Sequence, residues 1–123
     1  MPKLNKNDAP ETVEIEGYEG HLGELGEYTV AFETYTADVD LGEFFTGLPD
    51  DRCQCPHWGV VLKGRLRYRT ADGEMTVEAG EAYYVPPGHV PFLYAGTEVV
   101  EFSPTTELRQ TMAVVEANLA AGG

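Results

Sequence analysis

Gly64-Arg65-Leu66-Arg67-Tyr68-Arg69-Thr70-Ala71-Asp72-Gly73-Glu74-Met75-Thr76-Val77-Glu78-Ala79-Gly80-Glu81-Ala82-Tyr83-Tyr84-Val85-Pro86-Pro87-Gly88-His89 is the stretch on which the fold turns. Leu66 and Tyr68 alternate with Arg65, Arg67 and Arg69; beyond Asp72-Gly73, Met75 and Val77 alternate with Glu74, Thr76 and Glu78. A period of two belongs to a strand, and Asp-Gly accepts the positive φ of a tight hairpin. The arginines and the facing acids are expected to form cross-strand pairs on a solvated outer surface. Ala79-Gly80 and Pro86-Pro87-Gly88 turn the chain again, so turn signals recur about every eight to twelve residues, the spacing of an all-β sandwich or barrel.

Working outward, residues 58–63 predict a strand that continues past Gly64 into 65–70, and 81–85, 89–94 and 97–102 predict three more. Upstream, 12–16 and 28–35 alternate as strands, 38–45 reads as a strand or an irregular return, and the glycine-rich stretch 17–26 reads as a loop around His21. Residues 1–10 are polar and read as a flexible arm. A single helix is predicted over 104–120: Ser103-Pro104 opens it, Glu107 lies in its first turn, and Leu108, Met112, Val115 and Leu119 form a stripe at helical spacing. The whole chain, 1–123, is expected to be one domain.

Composition bounds the function. The 123 residues carry 21 acidic against 8 basic side chains, a formal net charge of −13, which repels phosphate backbones and anionic lipid and argues against nucleic-acid or membrane partners. Hydrophobic residues at 42% can still build a core. The stretch that opens the sequence is not apolar enough for a signal peptide, so the cytoplasm is the expected compartment. The two cysteines, Cys53 and Cys55, lie too close to form an unstrained disulfide and are expected as thiols or thiolates.

Metal-binding residue types concentrate in Asp51-Arg52-Cys53-Gln54-Cys55-Pro56-His57. In an extended run Asp51, Cys53, Cys55 and His57 share one face, although Pro56 invites a bulge that could turn either cysteine inward. Trp58, Val60 and Leu62 make the other face apolar too, so this strand is expected to be covered on both sides, by a sheet, the helix or a partner subunit. His89 follows a rigid turn and gains meaning only if it meets His57 in space.

Gly80, five residues on to Pro86-Pro87-Gly88, matches the second cupin motif, and His57, six residues on to Gly64, matches the end of the first; residues 53–104 resemble a small single-domain bacterial cupin. The resemblance implies a cupin-type double-stranded β-helix, or jelly-roll β-barrel, with a divalent metal inside. In the family that metal takes two histidines and a glutamate from the first motif and one histidine from the second. Here Asp51 and Cys53 fall at the histidine positions and His57 at the glutamate. Pro91 falls at the second-motif histidine, with His89 two residues earlier. The candidate metal ligands are therefore Cys53, His57 and His89 at the barrel mouth.

Thiolate and imidazole favour zinc over magnesium or calcium, with iron, nickel or manganese as alternatives and a metal-free pocket as another. Glu98, grouped with Val100 and Phe102, is the candidate inward carboxylate and general base; Glu101 falls on the opposite face, and Asp51 and Tyr83 are weaker candidates. His21 has no evident partner. The expected function is a metal-dependent reaction on a small organic molecule; the rival is a noncatalytic binding or sensor module. A thiol redox role for Cys53 and Cys55 fits less well, because the usual pair has two intervening residues and a helix N-terminus beside it. A homodimer is expected through the two-sided strand.

Overall fold

The structure, a computed structural model, describes residues 2–122. Ten strands run in the order β1 (Glu11–Ile15), β2 (Tyr18–Leu25), β3 (Tyr28–Tyr35), β4 (Val39–Asp40), β5 (His57–Lys63), β6 (Arg65–Thr70), β7 (Gly73–Glu78), β8 (Ala82–Val85), β9 (His89–Leu93) and β10 (Glu98–Pro104), followed by helix α1 (Thr105–Gly122). They form a six-stranded sheet, β1-β2-β3-β10-β5-β8, and a four-stranded sheet, β4-β9-β6-β7, with every ladder antiparallel. The all-β jelly roll with a C-terminal helix is thus observed. The sheets stay open at their edges, so the expected barrel is a two-sheet sandwich.

Gly64 explains why one predicted strand is two. Its φ of 79° is the left-handed region that favours glycine, and a Cβ there would lie 2.8 Å from Thr97 Cα. The chain swings at this point from the six-stranded to the four-stranded sheet, and buried Thr97 clamps the corner, accepting from Arg65 N at 3.1 Å and donating to Arg65 O at 2.9 Å. Val61, Val85, Leu66, Tyr68, Val77, Leu93 and Val99 fill the space between the sheets.

Three local expectations change. The glycine-rich stretch is strand β2, paired on both sides with β1 and β3; Gly20 and Gly23 give room for side chains that cross over it. The return after β3 is a two-residue strand followed by a 3-10 turn, Gly42–Phe45. The outward arginines turn away from the acids of β7, toward the aromatic rings of β9 and the residue just after it and toward β4. Arg65 lies over the Tyr94 ring at 4.2 Å and Arg67 over Phe92 at 4.7 Å, and Arg69 meets Asp40 at 3.3 Å. Among the described residues none of the three forms an ion pair with Glu74 or Glu78.

Helix α1 buries Val115 and partly buries Leu108, Met112 and Leu119, the stripe expected for it, against Phe44 and Phe45. Asn118 fastens it by donating to Phe44 O and Thr46 O at 2.9 Å each. The helix therefore closes one end of the space between the sheets. The predicted cap differs: the strand persists through Pro104, and Ser103 turns inward instead.

Candidate functional site

Cys53 and His89 are far apart in sequence but form one antiparallel bridge. Cys53 N donates to His89 O at 2.8 Å, and His89 N donates to Cys53 O at 3.2 Å. The turn Pro86-Pro87-Gly88 delivers His89 to this bridge, and strand β5 begins with His57 on the same inward face. The ligand atoms of Cys53, His57 and His89 all lie within 4.8 Å of one another, and all three residues are buried. Cys53 Sγ is 3.7 Å from His57 Nε2.

Hydrogen bonds orient both imidazoles. His89 Nδ1 lies 2.7 Å from Pro86 O, which can only accept, so Nδ1 carries the proton and Nε2 the lone pair. His57 Nδ1 lies 2.7 Å from Ser103 Oγ and 3.2 Å from Glu101 Oε1, which frees its Nε2 in the same way. His89 Nε2 is buried with no hydrogen-bond partner. An orphaned buried acceptor is costly. Its position beside a thiol and a second imidazole lone pair is that of a metal ligand, and a carboxylate behind one ligating histidine is a usual supporting arrangement.

The protonation energetics agree. Burial, with His57 next to it, lowers His89 to about 4, and burial lowers His57 against the pull of Glu101, so both rings are neutral near pH 7. Burial pushes the Cys53 thiol up to about 12, so this thiol gives up its proton only to a cation bound beside it.

Next to the trio lies a wall of carboxylates and phenols. Glu101 on β10 stands opposite Gly59 on β5, which stands opposite Tyr83 on β8. Tyr83 crosses above Gly59, where a Cβ would lie 2.6 Å from its hydroxyl, and donates to Glu101 Oε2; Tyr68 donates to the same oxygen at 2.8 Å. The arrangement repeats one strand over. Glu33 stands opposite Gly20, and Tyr18 crosses above that glycine to donate to Glu33 Oε2 at 2.5 Å. Burial, and then the negative charge of Glu101, hold the Glu33 carboxyl well above the usual carboxylate range.

A cavity of about 150 Å³ opens over these groups. Its walls are apolar, from Val13 and Ile15 on β1, Phe44 and Phe45 of the 3-10 turn, and Leu108, Met112, Val115 and Leu119 of α1. Cys53, His57, Glu33, Glu101, Tyr18, Ser103, Thr111 and Glu116 supply its polar lining.

The structure therefore brings Cys53, His57 and His89 together, and it answers the question of the two cysteines by burying both; Cys55 donates to Pro56 O at 3.4 Å and stands outside the trio. Glu98 is a correction: it is exposed, on the outer side of β10, and Glu101 is the buried acid. The apolar companions Val100 and Phe102 misdirect the reading because they belong to an outer face that is itself apolar. Asp51 is exposed in a 3-10 turn, where it accepts from Gly47 N at 2.9 Å. His21 pairs with Glu19 at 2.7 Å, away from the site. Tyr83 does belong to the site. Glu33, Tyr18, Tyr68 and Ser103 were not anticipated; the register of Gly20 and Gly59 opposite the two acids is the signal that would have found them.

Neither a family model nor a curated protein matches the chain in sequence. Solved structures do match. An RmlC-like cupin from Shewanella frigidimarina NCIMB 400 superposes with a TM-score of 0.56 at 15% identity, over 85% of this chain and 92% of its own. KdgF from a Halomonas species gives 0.58 at 14% identity, over 85% and 94%. Ectoine synthase from P. lautus gives 0.60 at 8% identity, over 85% and 78%. The fold is that of the cupins.

Proposed function

We propose that this cupin-fold chain binds one divalent cation through Cys53, His57 and His89 and acts on a small, largely apolar organic molecule held in the adjoining cavity. The observation that carries this reading is the partnerless, buried Nε2 of His89, in a group whose ligand atoms, from Cys53, His57 and His89, lie within 4.8 Å of one another. A set of two nitrogens and one sulfur favours zinc, and three protein ligands leave a position for water or substrate. Bound there, such an ion supplies Lewis acidity toward a substrate oxygen or a bound water.

The chain's own residues supply the rest. Ser103 and Glu101 fix the His57 ring, and the bond from Pro86 O fixes His89. Glu101 reaches the cavity, oriented by Tyr68, Tyr83 and His57, and takes the general-base role that the sequence assigned to Glu98. The apolar walls exclude water from the reacting end. A reducing compartment such as the cytoplasm keeps Cys53 available as a thiolate ligand.

Elemental analysis of purified protein, repeated on Cys53→Ala and His57→Ala, tests the ligand set: native protein is expected to hold zinc that both variants lose. Turnover of small carbonyl, enol and catechol compounds, abolished by chelator, is the expected sign of an enzyme; tight binding without turnover supports a sensor instead. We also infer a homodimer through the outer face of the six-stranded sheet, where Trp58, Val60 and Leu62 are uncovered within the chain. A monomeric mass in light scattering at micromolar concentration contradicts it.

A further inference from the structure

We propose that Glu33 is a ligand-binding acid that donates its carboxyl O–H to an uncharged oxygen acceptor, a carbonyl or a hydroxyl, on the molecule in the cavity; this rests on the reading of that cavity as the substrate site. Glu33 and Glu101 occupy diagonal positions on adjacent strands, with Glu33 opposite Val99 and Ala31 opposite Glu101, so both carboxyls face inward from one small area. Among the described residues, the arginine ion pairs lie at the surface, with Asp40 and Glu24, and neither Glu33 nor Glu101 has a lysine or arginine partner. Two buried carboxylates so placed do not both ionise.

The surroundings of the two acids differ. Glu101 accepts from Tyr68 and Tyr83 and meets His57 Nδ1. Glu33 accepts from Tyr18, has the Tyr35 phenol beside it as a second donor, and lines the cavity together with Leu22, Ala31 and Val13. It therefore has an O–H to give and an apolar space to give it to. Burial and the neighbouring Glu101 favour the same protonated form. At Glu33 an uncharged acceptor on an apolar body is the class that fits; an anion meets the neighbouring acids Glu101 and Glu116, and a ligand held as a cation uses those two carboxylates instead of the Glu33 O–H.

Three probes that share one ring separate the cases: cyclohexanone, cyclohexylammonium and cyclohexanecarboxylate, titrated against the full-length protein at pH 7. Cyclohexanone is expected to bind about tenfold more tightly than either ion, the worth of one good hydrogen bond against an unmet charge. Infrared difference spectra of native protein minus Glu33→Gln are expected to show a protonated carboxyl band in the native protein. Replacing the acid with both phenols beside it, Glu33→Leu with Tyr18→Phe and Tyr35→Phe, leaves no phenol orphaned and is expected to cost cyclohexanone about tenfold in affinity. Preference for cyclohexylammonium, or a native spectrum without the acid band, overturns the proposal. Metal content measured on the same samples keeps the readings apart: zinc bound equally by native protein and Glu33→Gln leaves the metal reading standing whatever the probes show, and absence of metal throughout sinks that reading while the infrared band still judges Glu33.

Discussion

The two faces of the six-stranded sheet depart from the usual division: the inner one mixes polar groups among core residues such as Val61, Val85 and Val99, and the outer one exposes a cluster of large apolar side chains. An antiparallel sheet ordinarily buries its apolar face and wets its polar one. Here the buried face carries Glu33, Glu101, His57, Tyr18 and Tyr83, whereas the outer face carries Tyr28, Trp58, Val60, Leu62, Tyr84 and Phe102 at 37% to 59% exposure. On the outer face Trp58 packs against both Tyr28 and Tyr84, at 5.8 Å and 5.0 Å between ring centroids. Burying polar groups costs free energy that apolar side chains in the same places would not. The inner face carries the proposed chemistry, and the outer face the proposed contact between copies.

If that contrast is right, substitutions on the inner side act on metal and ligand, and those on the outer side act on association. The largest effect is expected from His57→Ala, His89→Ala or Cys53→Ala, each removing one of three ligands: zinc affinity measured by competition with a chromophoric chelator falls by more than the roughly 10–100-fold typical of losing a supporting residue. Glu101→Gln removes such a support and is expected to fall within that roughly 10–100-fold range. Equal affinity in Glu101→Gln and native protein would break the link between the carboxylate wall and the trio.

Gly59→Ala comes next. Its Cβ would sit 2.6 Å from the Tyr83 hydroxyl, so the phenol must leave Glu101. Denaturant unfolding is expected to show a loss of about 1–3 kcal/mol, and an unchanged midpoint would contradict the crossing arrangement.

The pH response of the chelator-stripped protein sharpens the same contrast. His89 is held at about 4 in the folded chain against about 6.5 when unfolded. Below that unfolded value the unfolded state takes up the proton first, so stability declines as the pH falls through the window between the two and levels off beneath it. Urea midpoints against pH are expected to show this fall, to lose part of it in His89→Gln, and to fall more steeply when zinc is restored, because a bound ion keeps the folded-state ligands free of protons that the unfolded chain takes up. A flat acid limb in native apoprotein contradicts the buried, neutral imidazole.

The smallest effect on the fold is expected outside. Leu62→Glu on the exposed face should change stability by no more than about 0.5 kcal/mol and leave zinc binding intact. It should shift the mass in light scattering from dimer to monomer, and an unchanged dimer would remove the outer face from the account.

The sequence made the strands of the middle and later chain legible because Leu66, Tyr68, Met75 and Val77 alternate cleanly between explicit turns. It also made the trio legible, since the two motif spacings placed His57 and His89 at matching ends of their strands. What failed has one physical source. Choosing Glu98 over Glu101 assumed that apolar company marks the interior, and on this sheet apolar company marks the outside. The strand over the glycine-rich stretch was hidden for a related reason: Gly20 looks like a turn residue, but it is there so that Tyr18 can reach Glu33. Register between strands far apart in sequence carries that information, and no local pattern does.

The central claim is most directly tested by the zinc content of the purified protein, after zinc loading and exhaustive dialysis, beside that of His89→Ala. About one ion per native chain is expected, as in a three-ligand site, and none in the variant while it remains folded by circular dichroism. Native protein that retains no metal, or a variant that retains as much as the native chain, would contradict it.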